Sequence, residues 1–166
     1  MPRVLIVAYG NPLRCDDGIA WRAADVLAQR LPESEVEIVR LHQLAPELAD
    51  AAQHHELIFF VDAACVAAAH VDNVEKRNAG DICVREIRAN NGAPRKEAGQ
   101  FSHVYSPEKV LDLAKELYGA APKAFVITVA GENFGHGDFL SAPVTAALPE
   151  LVTVIVRLVD SNSHKS

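Results

Sequence analysis

Short apolar runs alternate with amphipathic segments along most of this chain, which is the pattern of an α/β domain. Near-continuous apolar runs at 4–8, 57–61 and 124–130 predict strands that are buried on both faces. Residues 35–41 and 82–87 alternate between apolar and polar side chains, and they predict two further strands, the second at a sheet edge. Strands separated by helices form mainly parallel sheets. The sequence therefore predicts a three-layer α/β domain, with a mostly parallel twisted sheet of about five strands and helices on both faces.

Helical periodicity predicts three helices between these strands and a fourth after the last strand. Segments 19–31 and 46–52 carry apolar residues at helical spacing, and segment 106–118 begins with Ser-Pro-Glu, a typical helix start. The last helix begins at 141–143 and continues through Pro149, because the apolar stripe extends beyond the proline.

Length and charge narrow the class of protein. The 166 residues predict one domain over 1–160 and a flexible tail at 161–166. The chain has 16 Lys and Arg against 22 Asp and Glu, a formal charge of -6, and no basic run. This composition argues against a nucleic-acid partner. No signal peptide or bilayer-length apolar run is recognisable, so a cytoplasmic protein without a membrane partner is expected, with a monomer as the default.

The candidate functional residues follow the predicted strands. In mainly parallel sheets, ligands bind beyond the carboxyl ends of the strands. Asp16 and Asp17 follow the first strand, and a helix cap accounts for one of them but not for both. Asp62 ends the strand at 57–61, where it is either a hydrogen-bond anchor or a ligand facing the crevice. His103 comes just before a helix start, a position in which a surface role is the alternative to a functional one.

Asp17, Asp62 and His103 are predicted to meet at one edge of the sheet. Two carboxylates and an imidazole form a ligand set with open positions, and such a set suits nickel, zinc or manganese. Their convergence is a geometric hypothesis. The cysteines lack the spacing of a zinc site, and Cys65 and Cys83 are predicted to be small core residues.

Four ordered segments resemble the hydrogenase maturation endopeptidases. The run VLIVAYGNPLRCDDG is similar to that family's N-terminal signature, a strand followed by Gly-Asn-x-Leu-x-x-Asp, then Asp or Glu, then Gly. The segments FFVDAA, FSHVYSPEKVLDLA and VAGENFGHGDFLSAPV extend the similarity over nearly the whole chain. The resemblance implies a cytoplasmic protease that removes a C-terminal extension from the large-subunit precursor of a nickel–iron hydrogenase after nickel insertion.

The resemblance also implies roles for individual residues. The family's metal-contacting acid falls on Asp17, its strand-end acid on Asp62 and its histidine on His103, while Asp16 matches the preceding acidic position. Many members carry Asp-Gly-Gly-Thr after the second strand, but this chain reads Leu-His-Gln-Leu, similar to a subgroup variant. His42 and Gln43 are therefore candidates for contact with substrate or nickel, and a plain strand end with a helix cap is the alternative.

A mechanism follows from the resemblance as a hypothesis. The precursor supplies the nickel, which completes its coordination with Asp17, Asp62 and His103, and Asp16 is the expected general base. Another divalent ion in the purified protein is the alternative to nickel. Two other functions remain open at this point: a non-catalytic chaperone that checks the large subunit for nickel, and a small metal-dependent α/β hydrolase of another substrate.

Overall fold

The computed structural model describes residues 1–66, 77–91 and 105–163 of the chain. Within these residues, five strands form a single sheet: β1 (Val4–Tyr9), β2 (Val36–Leu41), β3 (Leu57–Cys65), β4 (Ile82–Ile87) and β5 (Lys123–Gly131). Their order across the sheet is β2-β1-β3-β5-β4. All pairs are parallel except β4 with β5, which is antiparallel, so β4 is an edge strand as predicted.

The described residues contain four α-helices. Three lie between strands, α1 (Ile19–Arg30), α2 (Leu48–Gln53) and α3 (Pro107–Tyr118), and α4 (Ala142–Ser163) follows β5. The start of α3 follows the predicted capping chemistry, since the Lys109 backbone N–H donates to Ser106 Oγ at 3.2 Å. Gly119 ends the helix with φ 68°, a left-handed conformation that favours glycine.

Two hydrophobic clusters, one on each face of the sheet, make the three predicted layers. Alternate residues of β1 and β3 point to opposite faces, so that Ile6 and Phe59 pack with α1 and α4, whereas Val7 and Phe60 pack with α2 and α3. The predicted fold class is therefore confirmed. With both faces covered, the carboxyl ends of β1, β2, β3 and β5 form one exposed edge, hereafter the carboxyl-end rim.

Helix α4 is the one helix among the described residues that is long and apolar enough to cross a membrane by length and composition alone. Core helices of globular domains meet the same criteria. Six of its side chains are buried in the cluster shared with α1 and the sheet: Val144, Ala147, Leu151, Val152, Ile155 and Val159. This packing accounts for the apolar stripe that continues through Pro149.

The structure corrects the sequence predictions in three places. Strand β3 continues to Cys65, so Asp62 lies within the strand rather than at its end. Cys65 and Cys83 are exposed and are not core residues, because the former lies at the exposed end of β3 and the latter on the edge strand β4. Residues 161–163, predicted to begin the tail, form the end of α4, and 164–166 lie outside the described residues.

The fold makes a prediction about stability. Phe59 has no exposed surface and stacks on Phe125, with ring centroids 5.6 Å apart. We expect Phe59→Ala to lower the free energy of unfolding by about 4 kcal/mol, because it removes apolar contacts and leaves a cavity. Urea denaturation followed by circular dichroism measures this change. The exposed Leu117 is the control, and equal losses for Phe59→Ala and Leu117→Ala would contradict the core assignment.

Candidate functional site

The loop between β1 and α1 (residues 10–18) folds back on itself and thereby fixes Asp17. Gly10 has φ 134°, and a Cβ at this position would lie 2.2 Å from the Asp17 carbonyl oxygen, so the loop requires glycine here. The Asn11 backbone N–H donates to Asp17 Oδ2 at 2.7 Å, and Asn11 Oδ1 accepts from the Leu13 backbone N–H at 2.9 Å. The Gly-Asn turn therefore presents the Asp17 carboxylate, half-buried, at the carboxyl-end rim.

Asp62 reaches the same rim from β3. Pairing between β1 and β3 ends at Ala8 and Val61, so Tyr9 and Asp62 are the next residues of the two strands. The Tyr9 hydroxyl donates a hydrogen bond to the Asp62 carboxyl group, and the Ala63 backbone N–H donates to Asp62 Oδ1 at 2.8 Å. Asp62 is half-buried, because β3 extends past β1 while remaining paired with β5.

Asp17 and Asp62 lie close enough for their carboxylates to repel each other. Burial raises the pKa of Asp62 to about 7, and the Asp17 charge adds to this rise, while the hydrogen bonds from Ala63 and Tyr9 oppose it. Burial, with the nearby charges of Asp62 and Glu108, also raises the pKa of Tyr9 above its usual value. A cation held between the two carboxylates would relieve their repulsion, so this donor pair fits a divalent metal.

The structure brings together two of the three predicted metal ligands and does not describe the third. His103 lies outside the described residues, although α3, which follows it, begins near this site: the Glu108 charge in its first turn acts on Tyr9. Within the described ranges, no group of three or more His, Cys, Asp or Glu side chains is placed to hold a metal. The three-residue site thus remains a prediction, with the Asp17–Asp62 pair as its observed part.

Asp16 has a different environment from Asp17, although the two are adjacent in sequence. Its side chain is fully buried, and Oδ2 accepts hydrogen bonds from the Glu132 and Asn133 backbone N–H groups, both at 2.9 Å. Ser141 donates twice, from its backbone N–H to Oδ1 at 2.7 Å and from its hydroxyl to Oδ2 at 2.9 Å. Although burial opposes ionisation, these four donors lower the pKa of Asp16 below its usual value.

This geometry does not support the general-base role expected for Asp16. A general base needs a free lone pair within reach of the proton that it accepts. Asp16 has no exposed surface, and both of its carboxylate oxygens already accept hydrogen bonds from the protein. Instead, Asp16 joins the β1–α1 loop to the loop between β5 and α4 (residues 132–141), and it therefore acts structurally.

Further contacts between the same two loops fix their relative position. Backbone hydrogen bonds join Cys15 N–H to the Gly137 carbonyl and Gly137 N–H to the Leu13 carbonyl, both at 2.9 Å. Arg22 of α1 also forms an ion pair with Asp138 at 2.7 Å. The sequence indicated none of these pairings, because the two loops are more than 100 residues apart in the chain.

His42 and Gln43 follow β2 and are both exposed at the carboxyl-end rim. The His42 ring makes an edge contact with Trp21 of α1, with centroids 5.4 Å apart, and the Trp21 indole N–H donates to the Leu41 carbonyl at 3.1 Å. Strand β2 lies beside β1, so His42 occupies the same edge of the sheet as Asp17. This position is compatible with the predicted substrate contact, which remains a prediction.

Tyr9 and Ser141 are the site residues that the sequence analysis missed. A tyrosine at the carboxyl end of a buried strand is a signal for the first, since its hydroxyl needs a polar partner. Ser141 had been assigned only as the start of α4, and its pairing with Asp16 has no sequence signal that we can identify.

Comparisons with known proteins identify solved structures that are similar to this one. The chain matches no family model and no curated protein sequence. Among solved structures, it is similar to the hydrogenase maturating endopeptidase HybD from Escherichia coli, with a TM-score of 0.71, 20% identity and coverage of 96% of this chain and 93% of that one. It is also similar to the NiFe hydrogenase maturation protease HybD from Thermococcus kodakarensis, with a TM-score of 0.63, 22% identity and coverage of 95% and 99%.

A third solved structure of the same fold is the hydrogenase 2 maturation peptidase from a Thaumarchaeota archaeon, with a TM-score of 0.64, 20% identity and coverage of 95% of this chain and 97% of that one. Because all three similarities extend over almost the full length of both chains, this protein has the fold of these enzymes. The fold implied by the sequence resemblance is confirmed.

We expect Asp16→Asn to lower the free energy of unfolding by about 3 kcal/mol at pH 7, because an amide nitrogen cannot accept the hydrogen bonds that a carboxylate oxygen accepts. The pKa of Asp16 is lowered by folding, so its contribution is present above its unfolded pKa and is lost as the pH falls through the folded pKa. Urea denaturation at pH 7 and at about pH 3 should therefore show a difference between wild type and variant that narrows at the acidic pH. The exposed Asp25→Asn is the control, and an Asp16→Asn variant as stable as this control at pH 7 would refute the structural role.

We expect Asp62→Asn, in contrast to Asp16→Asn, to raise the free energy of unfolding. Folding raises the pKa of Asp62 to about 7, so ionising this residue destabilises the fold, and wild-type stability should rise as the pH falls from about 8 toward 5. At pH 8 the variant should gain about 2 kcal/mol, since each tenfold change in proton affinity corresponds to about 1.4 kcal/mol and Asp62 keeps partial access to solvent. Thermal and urea unfolding at pH 8 and pH 5 measure this, with the exposed Asp160→Asn as the control. Equal pH dependence in wild type and Asp62→Asn would contradict the electrostatic coupling.

Proposed function

We propose that this protein is an endopeptidase that removes the C-terminal extension of a nickel–iron hydrogenase large-subunit precursor. The observation that carries the proposal is the pair of half-buried carboxylates, Asp17 and Asp62, at the carboxyl-end rim of a hydrogenase maturation protease fold. The solved structures named above supply the reaction class, because their own names describe maturation endopeptidases and proteases. The four sequence segments that resemble this family support the same assignment.

Nickel belongs to the substrate in this proposal. Asp17 and Asp62 provide two oxygen ligands, and His103 is the proposed third ligand. Three ligands from the enzyme leave coordination positions that the precursor's own nickel ligands can fill. Binding would then depend on whether the client carries its metal, so that the enzyme cleaves only a loaded precursor. His42 and Gln43, exposed on the same rim, are proposed to contact the client beside the metal.

The chemical step needs a water molecule and a proton acceptor. The nickel of the client would polarise the scissile carbonyl or the attacking water. Asp16 is not suited to accept that proton, because it has no exposed surface and both of its carboxylate oxygens already accept hydrogen bonds from the protein. The water oxygen would bond to the carbonyl carbon, the peptide C–N bond would break, and a proton of the water would pass to the departing amine.

A precursor cleavage assay tests this function. The purified protein is incubated with a large-subunit precursor, either nickel-loaded or nickel-free, and the product is followed by gel mobility and by mass spectrometry. We expect cleavage only of the loaded precursor. A stable uncut complex would instead indicate the nickel-checking chaperone, and neither cleavage nor complex formation would favour a hydrolase of another substrate. A cytoplasmic location, as the sequence resemblance implies, is part of the proposal.

We expect Asp17→Asn, Asp62→Asn and His103→Gln each to slow cleavage by at least about 100-fold, since even the outer partners of metal ligands contribute about 10–100-fold. Thermal unfolding verifies that each variant is folded. Asp160→Asn is the matched control, because it removes an exposed carboxylate near the end of α4. The hydrogen bond from Lys123, the first residue of β5, to Asn162 places this end of α4 at the opposite edge of the sheet from the site. Near-normal cleavage by all three site variants would rule out the proposed ligand set.

A further inference from the structure

Two large apolar side chains are exposed on the loops that surround the Asp17–Asp62 pair. Leu13 of the β1–α1 loop is 63% exposed, and Phe139 of the β5–α4 loop is 56% exposed. Single exposed apolar residues are common on protein surfaces, whereas neighbouring ones mark interaction sites more often. Leu13 and Phe139 indicate an interaction site only if they belong to one surface.

Backbone contacts show that they do. The Gly137 N–H donates to the Leu13 carbonyl at 2.9 Å, so the two loops run side by side at this point. A Cβ built on Gly137 would lie 2.5 Å from Phe139 Cε1 and 3.2 Å from Cys15 Sγ, so the Phe139 ring covers Gly137 beside Cys15. Leu13 and Phe139 thus flank the same hydrogen-bonded junction, and together they form what we call the apolar rim surface.

The apolar rim surface is held in a fixed position. The four hydrogen bonds to Asp16 and the Arg22–Asp138 ion pair join the loops that carry it. Apolar side chains presented by an ordered backbone lose little further conformational freedom when a partner covers them. The exposure of Leu13 and Phe139 is therefore a built feature of the rim, suited to binding another molecule.

We infer that the apolar rim surface is a docking site for the hydrogenase large-subunit precursor, which it contacts next to the bond that is cleaved. The inference rests on the proposed function. Asp17 follows Leu13 by four positions in the same short loop. A client protein that brings a metal to about 2 Å from the Asp17 carboxylate must cover the neighbouring part of this loop, which includes Leu13.

The electrostatics favour this occupant over a second copy of the chain. The protein carries a formal charge of -6, and the loop that carries Leu13 also carries the Asp17 carboxylate, which lies close to Asp62. Two copies meeting through this surface would bring these acidic groups together without a cation to neutralise them. A metal-loaded client supplies the positive charge and the protein surface at the same time.

The test compares Leu13→Ser, Phe139→Ser and the double variant with wild type in steady-state cleavage of the nickel-loaded precursor. We expect each single variant to raise KM about tenfold while kcat changes less than about twofold, because buried apolar anchors contribute to binding rather than to the reacting groups. Leu117→Ser is the matched control, since Leu117 is 59% exposed on α3, away from these loops. Phe139→Leu keeps an apolar side chain, so its KM should stay close to that of wild type.

Precursor affinity, measured by biolayer interferometry, separates this inference from the proposed function. If wild type does not cleave but the double variant binds the loaded precursor at least about tenfold more weakly, the docking surface is supported and the enzymatic proposal fails. If wild type cleaves and the double variant has unchanged KM and affinity, the docking inference is overturned and the enzymatic proposal remains. A change in the chain's own sedimentation mass in the double variant would assign the surface to self-association, which also overturns the inference. Should Phe139→Ser unfold, Leu13→Ser and Phe139→Leu carry the comparison.

Discussion

The arrangement of the carboxyl-end rim depends on the hydrogen bonds that the buried Asp16 carboxylate accepts. A carboxylate with no access to water must have its charge compensated, and here two backbone N–H groups and both donors of Ser141 provide that compensation. These donors all come from the loop that follows β5, whereas Asp16 comes from the loop that follows β1. One side chain thus fixes two distant segments against each other, and the positions of Asp17, Leu13 and Phe139 follow from it.

Asp17 shows how adjacent acids acquire opposite roles. The chain turns between the two residues, so that one carboxylate points into the domain and the other toward the rim. The Asp16 carboxylate, which points inward, accepts four hydrogen bonds. The Asp17 carboxylate accepts a backbone hydrogen bond from Asn11 and faces the charge of Asp62. Uncompensated negative charge at a partly dry surface is unfavourable in isolation, and it becomes favourable when a cation arrives. The two carboxylates are therefore unfavourable neighbours by themselves, and a cation bound between them would stabilise the site.

The sequence predicted the architecture well because the fold rests on short-range patterns. Buried strands and helix caps such as Ser106 depend on a few neighbouring residues, and these elements lie within a few residues of their predicted bounds. The pairing of Asp16 with Ser141 could not be predicted, since it depends on how two loops meet in three dimensions. The end of β3 was misjudged for a related reason: Asp62 is a poor strand residue by composition, but pairing with β5 continues through it to Cys65.

The contact between Trp21 and His42 makes the tryptophan fluorescence of this protein sensitive to the surroundings of the end of β2. Trp21 is the chain's only tryptophan, and its indole touches the imidazole at the end of β2 while hydrogen-bonded to the backbone of the same strand. Indole fluorescence responds to the charge and polarity of its immediate surroundings. The tryptophan emission of the native chain therefore comes from a single known position and senses whatever touches that end of the molecule, without any attached dye.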